Sequence, residues 1–417
     1  MLRGSRLMAT FTNLQQFLQT GAKAFDQANQ LKRPVKLVVG NESADLDSFA
    51  SSIIYAYLDA IVSTPEVSKH ERLLPVVKEH EFFWRRTTAA TIPVLNIPRS
   101  ELALRPEHNH LIKHHLSFTP QDVCTLDELP SSITSSDISV ALVDHNVLQP
   151  PLSRKFDRHV KSIVDHHEDE GKYPDAKPRT VIPAGSCTTL VLNHFRSRFS
   201  THWDTLPPEI HSEIAKLALA PILIDTANLT SKVTPLDVVQ VTELLERAGE
   251  GFDRQAFYKG LQQAKTDLSG LTVEEILRKD YKQWKSDNGI VLGVSVSTRS
   301  LAWVVKKAGG MEAFKKTLGE YAASRKLDVA VVMTTDNSGG GFRRDLLIWG
   351  VNDRTAGFAQ KFEEAGKEKF KLEKWPTEQD EINESIAHVD IKAWTQASLD
   401  LSRKQVAPAL RDIASSL

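Results

Sequence analysis

The sequence predicts an α/β protein: a parallel-sheet domain in the N-terminal part, followed by a smaller mixed α/β unit. Three observations carry this. Short apolar runs recur at Lys36–Gly40, Ser139–Val143, Val160–Val164 and Leu217–Ile224. Helix-patterned segments lie between several of them, and apolar strands alternating with helices predict a parallel sheet covered on both faces. The chain's 417 residues also exceed one ordinary domain.

In order along the chain, Thr12–Gln30 carries Leu14, Leu18, Ala22 and Phe25 at helical spacing and predicts an amphipathic helix. Lys36–Gly40 predicts a buried strand, followed by a polar loop from Asn41 to Ser48 and a helical run from Phe49 to Leu58. The other three apolar runs, read as strands, end directly in Asp144, Asp165 and Asp225. Pro130–Ser136 predicts a loop. Leu236–Phe257 is polar and helical, and the junction is expected near residues 235–255, dividing the chain into domains 1–240 and 241–417. Beyond it, Val273–Trp284 predicts a helix, and Gly289–Ser297, Leu327–Thr334 and Asp345–Gly350 predict strands.

Composition excludes several classes. Hydrophobic residues are 41% and charged residues 25%, the balance of a soluble globular protein. No apolar run reaches the roughly 18 residues that span a bilayer. Two cysteines, Cys124 and Cys187, cannot build a disulfide framework or a cysteine-based zinc site, and they suit a reducing compartment. A net charge of −1 provides no overall basic field for nucleic acid. The opening Met1–Met8 carries Arg3 and Arg6 and no acid. A frayed terminus in a cytoplasmic protein is the plain reading, and the stub of a mitochondrial transit peptide is the alternative.

Chemistry concentrates in four motifs. Asn41-Glu42-Ser43-Ala44-Asp45-Leu46-Asp47-Ser48 places two carboxylates two residues apart, suited to hard divalent cations. Val143-Asp144-His145-Asn146 and Val164-Asp165-His166-His167 each follow a strand, and imidazole adds a ligand for Mn2+, Co2+ or Zn2+. Ile224-Asp225-Thr226 closes the last apolar run. Each has an ordinary alternative in helix capping or turn formation. In a parallel sheet, ligands bind beyond the carboxyl ends of the strands, so the four motifs are expected to converge there. Gly185-Ser186-Cys187-Thr188-Thr189 precedes a helix-like run, where its hydroxyls could cap the helix or support the site; capping is the expectation.

The order Asp-x-Asp, Asp-His-Asn, Asp-His-His, Asp-Thr resembles the four motifs of the DHH phosphoesterase superfamily, over roughly residues 35–230. The second half resembles the DHHA2-type domain that accompanies family II inorganic pyrophosphatases, eukaryotic exopolyphosphatases and prune-type proteins. Its local sign is Leu401-Ser402-Arg403-Lys404-Gln405-Val406-Ala407-Pro408, similar to the Ser-Arg-Lys-rich substrate motif of the pyrophosphatases but one residue shorter. The run Gly40–Ser48 looks most like the exopolyphosphatase branch.

That resemblance implies an active site in the cleft between two domains and two divalent cations, Mg2+ or Mn2+ with Co2+ as a further option. Asp45 would bind the first; Asp47, His166 and Asp225 the second; Asp144 would bridge them. Asn41 stands where the pyrophosphatases carry a metal-binding histidine, which shifts the first site towards Mg2+ and, with Asn41 counted among the substrate-binding residues, favours an exopolyphosphatase. Asp165 would orient His166 from behind. A metal-bridging hydroxide would attack the terminal phosphorus, with the cations roughly 3.5–4 Å apart. His145 and His167 would contact phosphoryl oxygens, and His167 would protonate the leaving oxygen. Arg403 and Lys404 would clamp the next phosphate. Lys265, Arg299, Lys306, Lys307, Arg343 and Arg344, the last two following Gly339–Gly341, are candidates for a basic channel. The expected partner is polyphosphate, bound by a monomer without nucleic acid or membrane. Alternatives are a pyrophosphatase or prune-like enzyme of short phosphates and nucleotide phosphoesters, an inactive scaffold, and a single-strand exonuclease. The absence of an aromatic-interleaved basic tract counts against the last.

Overall fold

The computed structural model describes residues 11, 13–31, 34–63, 90–129, 138–203, 208–337, 341–376 and 390–417. The loop expected at Pro130–Ser136, Met1–Met8, and Gly339 and Gly340 lie outside the described residues. Two compact units divide the chain at Lys265/Thr266.

The first unit is built on a parallel sheet. Its elements are α1 (Leu14–Leu31), β1 (Val35–Val39), α2 (Leu46–Val62), β2 (Ala90–Leu95), α3 (Pro106–His115), β3 (Cys124–Thr125), β4 (Ile138–Val143), β5 (Val160–Asp165) and β6 (Arg179–Val181). Helices α4 (Cys187–Trp203), α5 (Pro208–Asp225), α6 (Pro235–Leu245) and α7 (Arg254–Thr266) follow. The strand order is β3-β2-β1-β4-β5-β6. The inner strands read as continuous apolar runs because helices cover both faces, leaving no exposed face to alternate with polar residues. The order reverses between β1 and β4, which pair in register from Val35↔Ile138 to Val39↔Leu142. The loops leaving both strands therefore sit side by side at a topological switch point, where such sheets bind ligands.

Leu217–Ile224 is not a strand. It forms the buried end of α5, and Asp225 is the last residue of that helix. A helix buried all round shows no polar stripe, so a short apolar run cannot be told from a central strand by periodicity. Strand β2 has no counterpart in the sequence reading, because Pro93 argues against an interior strand. The short β3 pairs only with Val94 and Leu95, so Pro93 falls where β2 lacks a neighbour on that side. The division between units lies beyond the expected 240/241 boundary. Helix α6 is tied to the first unit through Asp237, whose carboxylate accepts from Gly185 N–H at 2.9 Å and the Thr189 hydroxyl at 2.6 Å.

The second unit holds α8 (Val273–Lys279), β7 (Tyr281–Lys285), β8 (Val291–Ser297), α9 (Leu301–Ala308), α10 (Met311–Ser324), β9 (Val329–Thr334) and β10 (Asp345–Gly350). It closes with α11 (Phe358–Phe370), β11 (Leu372–Lys374), β12 (Asp390–Gln396) and α12 (Arg403–Ser415). Its sheet runs β11-β12-β10-β9-β8-β7, with only β8 and β9 parallel. The helix expected over Val273–Trp284 stops at Lys279, and Trp284 lies on edge strand β7. The strand's lysines stay in water while Tyr281 and Trp284 are half-buried, a pattern that keeps an edge from pairing with other chains.

Candidate functional site

Asp144 follows β4 in the left-handed region, φ 63°, a conformation Asp tolerates better than most residues. Its N–H reaches Val164 O at 3.1 Å and the buried Cys187 thiol at 3.1 Å, so the turn is held from behind. The carboxylate is 2% exposed. Oδ2 accepts from Asn41 Nδ2 at 2.8 Å and the Ser48 hydroxyl at 2.7 Å. Oδ1, fully buried, lies 3.2 Å from His166 Nε2.

Asp45 caps α2 and Asp47 sits in that helix's first turn, not in a loop. Asp45 accepts from Ser48 N–H, so the capping alternative is realised there. Asp47 is 3% exposed and is met by the N-terminal turn of α4. Its Oδ1 accepts from the Ser186 hydroxyl at 2.7 Å and from Thr188 N–H and hydroxyl, both at 2.9 Å. Oδ2 accepts from Cys187 N–H at 2.6 Å and lies 3.7 Å from His166 Nε2. The Ser186 hydroxyl caps α4 as expected, accepting from Thr188 N–H at 3.2 Å, and together with the Thr188 hydroxyl it also serves the site through Asp47.

His166 Nδ1 donates to Ala184 O at 3.0 Å. In the neutral ring, that leaves the Nε2 lone pair facing two carboxylate oxygens. Such an arrangement is stable only with a positive charge between the acceptors, either a proton or a cation. Burial opposes the proton, but the bond to Asp144 and the charges of Asp47 and Asp144 win and push His166 up to about 10. Asp144 itself is pushed well above the usual carboxylate range, by burial first and then by Asp47 and Asp45. Asp225 is pushed up likewise by burial, Asp47, Asp45 and Asp144, with Lys265 acting against the shift. Asp45, Asp47, Asp144 and Asp225 therefore share one field. Ligand atoms of Asp144, His166 and His167 lie within 4.8 Å of one another. The buried, under-coordinated Asp144 Oδ1 beside the His166 Nε2 lone pair, with Asp47 Oδ2 3.7 Å from the same nitrogen, could hold a divalent cation.

Asp165 does not orient the His166 ring. Its Oδ1 accepts from His167 Nδ1 at 2.9 Å and from the backbone N–H groups of His166 and His167. Its Oδ2 accepts from Asn146 Nδ2 at 2.6 Å, and Asn146 also binds the Glu168 carbonyl, which locks the second and third motifs together. The Asp165 bond to His167 Nδ1 leaves the His167 side chain 55% exposed. His145 turns the other way: Nδ1 donates to Val143 O at 3.0 Å, and Nε2 is buried with no hydrogen-bond partner among the described residues. Arg105, which the motifs gave no reason to single out, donates from Nε to the Ser43 carbonyl at 2.9 Å and so braces the first motif's loop.

In the second unit, a cavity of about 370 Å³ is lined by Lys279, Arg344, Arg403 and Lys404, with Asp280 as the carboxylate and Ser297, Thr298 and Ser402 as neutral donors. Arg403 opens α12 and pairs with Asp280 Oδ1 at 2.7 Å. Arg343 lies outside this cavity: Asp345 holds its Nε at 2.9 Å. Arg299 and Lys307 both lie over the Trp303 ring, at 4.9 and 5.5 Å from its centre, and Lys307 donates to Ser269 O. Lys306 is exposed on α9. Lys279 went unread in the sequence because one lysine on a short helix carries no motif.

The DHH family, N-terminal domain, matches residues 36–222, and the DHHA2 domain matches residues 259–413. A Schizosaccharomyces pombe protein named "Putative exopolyphosphatase" is 35% identical over 382 residues, covering 90% of both chains. "Exopolyphosphatase PRUNE1" of Bos taurus is 27% identical over 401 residues, 93% of this chain and 78% of that one. A Bacillus velezensis protein named "Probable manganese-dependent inorganic pyrophosphatase" is 30% identical over 220 residues, 52% of this chain and 65% of that one. This chain belongs to the DHH family and carries a DHHA2 domain.

Proposed function

We propose that this chain is a divalent-cation-dependent hydrolase of phosphoanhydride bonds that releases terminal phosphate from inorganic polyphosphate. The observation that carries the proposal is the meeting of Asp47, Asp144 and His166 acceptors at the switch point of the sheet, with Asp225 and Asp45 in the same field. Relatives named exopolyphosphatase support the substrate class.

In this reading, Asp47, Asp144, His166 and Asp225 hold one cation, and Asp45 with Asp144 serves a second. Mg2+ or Mn2+ bound there would polarise phosphoryl oxygens and make an attacking water more acidic. Asp144 positions its open Oδ1 for this role because Asn41 and Ser48 occupy Oδ2. Asp165 sets the tautomer of His167 by taking the Nδ1 proton's hydrogen bond, so Nε2 faces solvent and, when protonated, donates to the leaving oxygen. The cationic cavity of the second unit binds phosphates of a polyanion, with Arg344, Arg403 and Lys404 as donors. Lys265 tempers the acid cluster from α7.

The test is phosphate release from long polyphosphate and from pyrophosphate, each with Mg2+ or Mn2+ and after chelation. Cation-dependent release that is faster from long chains supports the proposal. Pyrophosphate turned over far faster assigns the chain to short phosphates, the reading favoured by its pyrophosphatase relative.

A further inference from the structure

We propose that His110 and His114 form a separate metal site for a borderline transition cation, Cu2+ or Zn2+, rather than for Mg2+. The two residues lie four apart near the C-terminal end of α3, on adjacent turns of one helix face. Paired histidines at this spacing can chelate one metal ion from one helix. The ring centres are 4.8 Å apart. Two imidazoles sharing a tetrahedral ion should have centres about 5 Å apart, given an N-to-metal bond of about 2.1 Å and about 1.1 Å more to the ring centre. The rings are therefore near chelating separation already.

Their surroundings suit ligation. Neither ring is engaged by a hydrogen bond or ion pair among the described residues, so both keep donor nitrogens available. His114 is exposed and His110 half-buried, giving an ion access from solvent. His110 packs on α7 where Gly260 leaves room: a Cβ there would stand 3.0 Å from Nε2. That contact restricts the ring and lowers the entropy lost on binding. Burial and the neighbouring His114 pull His110 down, keeping it in the neutral form that binds metal.

His115 is not part of the pair. Its centre stands 6.1 Å from His110 and 6.4 Å from His114, its ring meets Phe257 edge-on, and Lys216 places a positive charge beside it. Water completes the coordination. Two nitrogen donors and no carboxylate make a softer set than the Asp45, Asp47, Asp144 and Asp225 cluster, and Cu2+ heads the affinity order for such ligands.

The experiment titrates Cu2+ into the full chain in excess Mg2+, counting equivalents by calorimetry and reading nitrogen hyperfine structure by electron paramagnetic resonance. His110→Ala and His114→Ala should each lose one Cu2+ equivalent and its two-nitrogen signature, while His115→Gln keeps both. His114→Gln, at an exposed position, repeats the test with minimal risk to folding. Phosphate release with Mg2+ should be unchanged in all four variants. Retention of the equivalent in His110→Ala and His114→Ala, or its loss in His115→Gln, overturns the assignment. Copper counting is independent of which phosphate the chain hydrolyses.

Discussion

Asn41 Nδ2 donates to Asp144 Oδ2 at 2.8 Å, joining two loops 103 residues apart in the chain. The same nitrogen meets the Asp144 carbonyl at 3.1 Å, while Asn41 Oδ1 accepts from Ser43 N–H and hydroxyl. The amide thus acts as a clamp: it occupies Asp144 Oδ2 and leaves Oδ1 for whatever lies beside His166. Removing such an outer partner commonly weakens a metal site about 10- to 100-fold. Asn41→Ala should raise the Mg2+ concentration for half-maximal activity by that factor. An unchanged midpoint would mean that the clamp plays no part in cation binding.

His167 is the exposed end of a carboxylate–imidazole pair. His167→Gln should lower kcat on polyphosphate by about 10²- to 10⁴-fold, the range for losing a general acid. Cation affinity should change little, because His166 and the carboxylates remain. Kinetics at saturating Mg2+, beside a Mg2+ titration of the same variant, separates the two effects.

Stability of the metal-free chain should fall as pH rises. His166, Asp144 and Asp225 all have folded-state values above their ordinary ones, so the folded chain holds more protons than the unfolded chain. For the two carboxylates, stability is complete below about 4 and declines above it; for His166 it declines from about 6.5 to about 10. A bound cation takes over the protons' role and should flatten that slope. At 100 times its dissociation constant, a cation adds about 2.7 kcal/mol. Thermal melts from pH 6.5 to 10, with and without Mn2+, check both points. A metal-free slope of opposite sign would contradict the electrostatic reading.

Acid should destabilise the chain through a different group. Burial first, then His110, Lys216 and His114, lower His115 to about 4. The folded chain keeps it neutral, so this contribution is complete above about 6.5 and is lost as pH falls towards 4. His115→Phe should reduce the loss between those values, measured by urea unfolding at pH 7 and pH 4.5. Equal losses in both proteins would count against it.

Lys404 lines the cationic cavity without an ion pair among the described residues, whereas Arg403 is held by Asp280. Lys404→Ala should raise KM for long polyphosphate about tenfold, the scale of one charged hydrogen bond, and leave the Mg2+ midpoint alone. A shift in the midpoint with constant KM would remove the cavity from substrate binding.

Much of the site's backbone was legible because its constraint is local. Strands β1, β4 and β5 are covered on both faces, so their apolar runs stood out, and the polar motifs at their ends were conspicuous. Asp225, expected at the end of a strand, closes helix α5 instead, since a buried helix and a buried strand share one composition. Side-chain direction was not legible. Nothing in Asp-His-Asn tells that His145 turns inward while Asn146 bridges to Asp165, or that Asp165 serves His167 instead of His166. Arg343 follows glycines as a phosphate loop would, but Asp345 two residues on claims it. Residue spacing leaves these directions open, and the partners of Asn146, Arg105 and Cys187 lie far along the chain.

In the proposed function, Asp144 joins cation binding to hydrolysis. The direct measurement follows Mn2+ binding and polyphosphate hydrolysis in parallel for the native chain and Asp144→Asn, a substitution that the left-handed backbone tolerates. Asp144→Asn should bind Mn2+ more weakly and release phosphate about 10²-fold more slowly or worse, with the fold intact. Native-like binding and turnover in Asp144→Asn would contradict it.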